Sequence, residues 1–236
     1  MVTTLRAAEK FEKSHLTSTA VAPFIDEARI FYVEGYFLTH GKESVLELSK
    51  KASEKEKVPC SEKNSLSWSL YRPFLQIFVL NLSAPFIVQF FNNELRSILP
   101  FVDYIIGNEA EAEAWAIAND LPDTKDLRAT AKDLVAQLKS NSTRESGVIF
   151  TQGADPTIAV SSNRPDYVKE YTVNALKHED IVDTNGAGDA FAGGFIGALA
   201  VGKELDEAIK VGHTLGAMCV TQVGPQYKWP KVNVLN

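Results

Sequence analysis

Residues 181–195 read IVDTNGAGDAFAGGF. Two β-branched residues lead into a turn crowded with glycine and aspartate, and small and aromatic residues at helical spacing follow. The first N–H groups of a helix lack intrahelical partners, and in an open parallel sheet such ends gather with the carboxyl ends of the strands, where ligands bind. Gly186 and Gly188 allow a ligand to reach the backbone, so Gly186, Ala187, Gly188 and Asp189 can present successive N–H donors to an anion. The spacing is not the dinucleotide fingerprint, because Phe191 stands where its third glycine belongs, and the Lys-Ser/Thr pair of the P-loop is absent. A carboxylate within a phosphate cradle suits a general base that takes the proton of a hydroxyl attacking a phosphoryl group, and Asp189 holds that position. An architectural reading stays open: the glycines permit close helix packing, and Asp183 and Asp189 cap the helix.

Working outward, short apolar runs at Arg29 to Val33, Ile77 to Leu82, Val102 to Ile106 and Val148 to Thr151 predict buried strands. Segments of helical period follow them. GKESVLELSKKASEKEK aligns Val45, Leu48 and Ala52 on one face, and DLRATAKDLVAQLKS aligns Leu127, Ala131, Leu134 and Leu138. This alternation predicts an α/β fold with a mainly parallel sheet and helices on both faces. Thr157 to Ser161 and Tyr167 to Val173 read as an antiparallel pair. Helices are expected from about Ala187 to Val201 and Leu205 to Gln222, separated by Gly202.

A hydrophobic content of 45% is ample for a packed core, and a net charge of -6 offers no basic stripe for nucleic acid. Two cysteines, Cys60 and Cys219, are too few for a disulfide framework, so a reducing compartment, the cytoplasm or the nucleus, is expected. The most apolar stretch, IFVLNLSAPFIVQFF, is interrupted by Asn81, Ser83 and Pro85 and is short of the roughly 20 residues a bilayer requires. Neither a membrane span nor a signal peptide is expected.

DTNGAGDAFAGGF resembles the C-terminal signature of the ribokinase-like family of carbohydrate and nucleoside kinases at nearly every position. ARIFYVEGYFLT, IFVLNLSAPFI, VDYIIGNEAEA, VIFTQG and GHTLGA resemble, in this order, segments of the members that phosphorylate adenosine. That resemblance implies transfer of the γ-phosphoryl group of ATP to the 5'-hydroxyl of adenosine. It implies Asp189 as the base, Gly186, Ala187 and Gly188 as an anion hole, and Thr184 and Asn185 as supports of the loop. Asn108 and Glu111 open a helix in GNEAEAE, where they read either as an N-cap with first-turn acid or, by the resemblance, as magnesium-side oxygens acting through water. Phe37 and Phe86 follow strands and read as core or, by the resemblance, as the lining of a purine pocket. The same likeness places Thr151, Gly153, His178 and His213 near ATP.

A preceding portion found in those family members, carrying further strands, a lid and ribose contacts, has no counterpart here. The chain is thus expected to be a partial kinase domain over 1–236, a monomer when intact, with an exposed sheet edge open to non-specific association. The competing expectation is a non-catalytic fragment that binds nucleotide weakly, and a third is another sugar or nucleoside kinase. Residues 58–76, VPCSEKNSLSWSLYRPFLQ, lack a clear period and are long for an α/β connection. They are expected to be an insertion, read as a retained in-frame intron because valine codons begin GT and one glutamine codon is CAG.

Overall fold

The computed structural model describes residues 8–54, 76–138, 145–224 and 233–234. Two compact units divide it, Met1–Ile149 with Ala159–Val168, and Phe150–Ile158 with Lys169–Asn236. A six-stranded sheet has the order β1-β2-β3-β4-β5-β6: Ile30–Glu34, Ile77–Asn81, Tyr104–Asn108, Gly147–Gln152, Asp155–Ser161 and Val168–Tyr171.

In the first unit, β1 pairs with β2 and β2 with β3, both in parallel, with Glu34 opposite Asn81. The helices are α1 (Ala22–Glu27), α2 (Leu38–Glu54), α3 (Pro85–Phe90), α4 (Asn92–Ile98), α5 (Glu109–Ala118) and α6 (Leu127–Gln137). Phe78, Leu80, Ile105 and Trp115 are fully buried, as the apolar runs require. Each such side chain contributes about 1.5–3 kcal/mol through removal from water. The Trp115 indole N–H donates to Asp133 at 2.8 Å and joins α5 to α6.

Strand β3 begins two residues later than its apolar run predicts. Asp103 is only 1% exposed, and its carboxylate accepts from Phe78 N at 2.8 Å while its own N–H donates to Phe78 O at 2.9 Å. These bonds close the entrance to the strand. A second difference is the start of β5 at Asp155, two residues after β4, with Gly153 at φ 59° in the turn. Adjacent strands joined by so short a turn must run antiparallel, which makes the sheet mixed.

Val58 to Leu75 lie outside the described residues, whereas Gln76, the last residue of the expected insertion, is described and 1% exposed. Its side-chain amide donates to the carbonyls of Ile25 (2.8 Å), Ala28 (2.7 Å) and Asp26 (3.3 Å). Gln76 thereby satisfies carbonyls that the end of α1 leaves unpaired.

The second unit contains α7 (Ala187–Ala200) and α8 (Leu205–Val220). They cross closely because a Cβ on Gly194 would lie 2.8 Å from Val211 O, and one on Gly212 would lie 2.8 Å from the Phe191 ring. Lys169 and Tyr171 both bind the Asp206 carboxylate, joining β6 to the first turn of α8 and holding that carboxyl below its usual range.

At the β3–α5 junction, Asn108 Oδ1 accepts from Glu111 N and Glu111 Oε2 accepts from Asn108 N, both at 2.9 Å, forming a capping box. Glu111 is 4% exposed. Burial pushes its carboxyl up to about 7, against the Asn108 N–H that favours the anion, and the charges of Glu34 and Glu109 add to the rise.

Two consequences can be measured in the full chain. Gln76→Leu should cost about 1–3 kcal/mol in urea unfolding, because the carbonyls at the end of α1 lose their donor; an unchanged midpoint would show that they do not need it. Folded Glu111 keeps its proton to about pH 7 while unfolded Glu111 releases it near 4.5. The folded state therefore binds more protons across this window, and stability should fall as pH rises through it, by up to about 3 kcal/mol. Glu111→Gln should remove that part of the slope, and an identical slope in the variant would refute the assignment.

Candidate active site

The loop ahead of α7 is built from its own backbone and a single carboxylate. Asp183 Oδ1 accepts from Asn185 N at 2.9 Å and Oδ2 from Gly224 N at 3.0 Å. These two N–H groups hold the Asp183 carboxyl below its usual range. Val182 N and Asp183 N both donate to Val220 O, at 2.8 and 3.3 Å, and the buried Cys219 thiol points at Asn185 O at 3.7 Å. Burial, with the charges of Asp183 and Asp189, raises the Cys219 thiol. The end of α8 thus grips the loop from Val182 to Asn185.

Gly186 then takes φ 81°, a left-handed conformation that suits glycine, and α7 starts with no side-chain cap. Asp183 spends both oxygens on the loop and the turn after α8, so neither aspartate acts as the cap that the architectural reading requires. Asp189 is exposed in the first turn, and a side chain at Gly188 would enter open space. Thr184 O accepts from Ala187 N at 3.3 Å, while Thr184 and Asn185 are exposed. Apart from Ala187 N, which is engaged by Thr184 O, this helix end offers N–H donors, open space and an exposed carboxylate, an arrangement that can hold an anion beside a base.

Elsewhere in this unit, Gly153 is exposed and Thr151 half-buried at the end of β4, and His178 is exposed in the short turn His178–Asp180. His213 faces inward: its Nε2 lies 2.8 Å from Thr157 Oγ1 and its ring 5.6 Å from that of Phe191. Burial holds this imidazole below its usual range.

The first unit brings its candidates to the carboxyl ends of three parallel strands. Asn108 and Glu111 form the box after β3. Phe37 follows β1 and lies edge-on to Phe11 (5.4 Å) and His40 (4.9 Å). Its ring rests so close to Gly41 that any Cβ there would collide with it, at the point where α2 kinks. Phe86, 42% exposed at the start of α3, stands 5.8 Å from the ring of Tyr36. Sequence reasoning missed Glu34, Asn81 and Ser83, which join these ends. Glu34 accepts hydrogen bonds from Tyr32 and Ser83, and Ser83 adopts φ 68°. A charged residue closing an apolar strand, FYVEG, was the available signal.

The model of the pfkB family of carbohydrate kinases matches residues 1–232. An adenosine kinase of Schizophyllum commune is 51% identical over 235 residues, covering 100% of this chain and 63% of that protein. The adenosine kinase of Saccharomyces cerevisiae is 38% identical, covering 99% and 61%. Among solved structures, Anopheles gambiae adenosine kinase in complex with a di(adenosine-5) tetraphosphate superposes with a TM-score of 0.80 at 36% identity, covering 92% of this chain and 58% of that one. Schistosoma mansoni adenosine kinase with 2-fluoroadenosine gives 0.80 at 28% identity, covering 94% and 59%. The chain therefore spans about three fifths of the length of these relatives. With a family match over nearly its whole length and a fold to agree, this chain belongs to the pfkB family of carbohydrate kinases.

Proposed function

We propose that this chain carries the phosphoryl-transfer half-site and the purine-facing aromatic residues of an adenosine kinase, which moves the γ-phosphoryl group of ATP to the 5'-hydroxyl of adenosine. The observation that carries the reading is the uncapped start of α7, where Gly186 is left-handed, the space over Gly188 is open and Asp189 is exposed. Relatives named adenosine kinase, similar over the whole chain, support the acceptor.

In this reading the N–H groups of Gly186, Ala187 and Gly188 face the equatorial oxygens of the transferred phosphoryl group, where negative charge is spread, with Ala187 N exchanging its 3.3 Å bond to Thr184 O for the ligand. Asp189 accepts the proton of the 5'-hydroxyl as that oxygen bonds to the γ-phosphorus and the bond from that phosphorus to the bridging oxygen breaks, ADP departing with its electron pair. Asp183, Thr184 and Asn185 hold the cradle rigid. Thr151, Gly153, His178 and His213 belong to the ATP side; His213 acts there through Phe191 and Thr157, which it touches. The acceptor purine packs on Phe37 and Phe86.

Among the described residues no group of three or more His, Cys, Asp or Glu side chains is placed to hold a metal ion. Asn108 and Glu111 fit a magnesium ion bound mainly by phosphate and water, since each side-chain oxygen in the box keeps a second lone pair and the nearby Glu34 charge has no cation assigned to it by the capping geometry. Magnesium bound with ATP supplies charge neutralisation of the phosphates. We assign the chain to purine salvage in the cytoplasm on the same reading.

The test uses this chain extended by the portion that the Schizophyllum commune relative carries beyond the match. Labelled ATP and adenosine should give labelled AMP. Asp189→Asn should lower turnover by about 10²–10⁴ while ATP affinity stays within about twofold, because the N–H cradle is unchanged. Full turnover in the variant would remove Asp189 from the chemistry, and phosphorylation of a free sugar in preference to adenosine would replace the acceptor.

A further inference from the structure

Four side chains at the ends of β1 and β2 form a closed hydrogen-bonded ring outside the proposed chemistry. Tyr32 OH donates to Glu34 Oε1, and Ser83 Oγ donates to Glu34 Oε2. Asn81 Nδ2 donates to Tyr32 OH at 2.9 Å, and Asn81 Oδ1 accepts from Ser83 N at 3.0 Å. Each member both receives and holds another, so loss of one loosens the rest. As a carboxylate, Glu34 offers only acceptors, which is what two hydroxyl donors need.

The ring holds a strained backbone in place. Ser83 is not glycine yet sits at φ 68°, a conformation that persists only where its surroundings over-determine it. Besides the ring, Gly35 N donates to Ser83 Oγ at 2.7 Å. A Cβ on Gly35 would lie 2.6 Å from Leu82 O, so the two chain segments cross at backbone contact. From that crossing the chain leaves in two directions, each carrying aromatic residues. Gly35–Phe37 bears Tyr36 and Phe37, Pro85–Phe90 bears Phe86, and the Tyr36 and Phe86 rings meet at 5.8 Å.

We propose that Glu34 is a positioning residue of the acceptor pocket, fixing through Ser83 the spacing between Tyr36 and Phe37 on one side and Phe86 on the other. This rests on the reading that Phe37 and Phe86 receive the purine. Glu34 touches no reacting atom. It sets the width of the slot, and with it the affinity for a planar base.

Calorimetric titration of adenosine into this chain extended by the portion that the Schizophyllum commune relative carries beyond the match tests this, alongside titration of ATP and thermal unfolding. Glu34→Ala should weaken adenosine binding about tenfold and leave ATP binding unchanged, while Glu34→Gln, which keeps an acceptor in the ring, should recover most of the loss. Ser83→Gly provides the control for folding. Glycine accepts the left-handed backbone without strain but lacks the hydroxyl, so adenosine affinity should fall as in Glu34→Ala with Tm maintained. If both variants bind adenosine as the unsubstituted chain does, or if affinity falls only in step with Tm, the positioning role is overturned. Absence of adenosine binding by the unsubstituted chain overturns the acceptor reading itself, a separate result.

Discussion

A helix cannot pair its first N–H groups within itself, and the helices here settle that constraint in different ways. α5 closes its end with Asn108 and Glu111, and α6 closes its own with Asp126, whose carboxylate accepts from Arg128 N and Ala129 N. α1, α3, α4 and α8 start without a side-chain cap, and so does α7, although there Asp183 stands close by in sequence. That carboxylate is committed to Asn185 and Gly224. The acid that could have filled the N-terminus instead shapes the loop leading to it.

An open N-terminus is useful only if it stays in place, and the second unit meets this requirement with glycine. Gly194 and Gly212 bring α7 and α8 to backbone contact, with the Phe191 ring filling the step beside Gly212 and the His213 imidazole against Phe191. At the other end of α8, Val220 O and Cys219 hold the loop before the cradle. Rigidity thus arrives through two helices and a few main-chain bonds, which leaves the approach to Gly188 unobstructed by side chains. Two different requirements share one glycine-rich stretch: Gly186 takes the left-handed turn before α7, and Gly194 serves the crossing.

Much of the first unit was legible because burial writes itself into composition. The strand runs after Ile77 and around Val148 are apolar for the same reason that they are buried, whereas β1, expected to be buried, is only half-buried along its length. The reading failed where polar residues do structural work in the core. Asp103 closes the entrance to β3 inside an apolar run, and at the surface the exposed Asp-Pro pair already belongs to β5 because Gly153 has made the turn before it. The turn into α7 at Gly186 was legible from consecutive residues, since glycine permits the left-handed turn found there. The Glu34 ring was not: Glu34 and Ser83 are separated by 49 positions, and only the parallel register that sets Glu34 opposite Asn81 brings them together.

That register also explains why acids accumulate where they do. Parallel strands end on the same side, so Glu34 after β1 and Glu111 after β3 are delivered to one edge of the sheet, together with the Glu109 of the first turn of α5. Glu109 lies at the surface, where water screens it, whereas Glu111 is enclosed and feels the other two charges through a medium that screens them poorly. The capping box holds Glu111 there in either protonation state, because the same Oε2 that accepts from Asn108 N can do so as anion or acid.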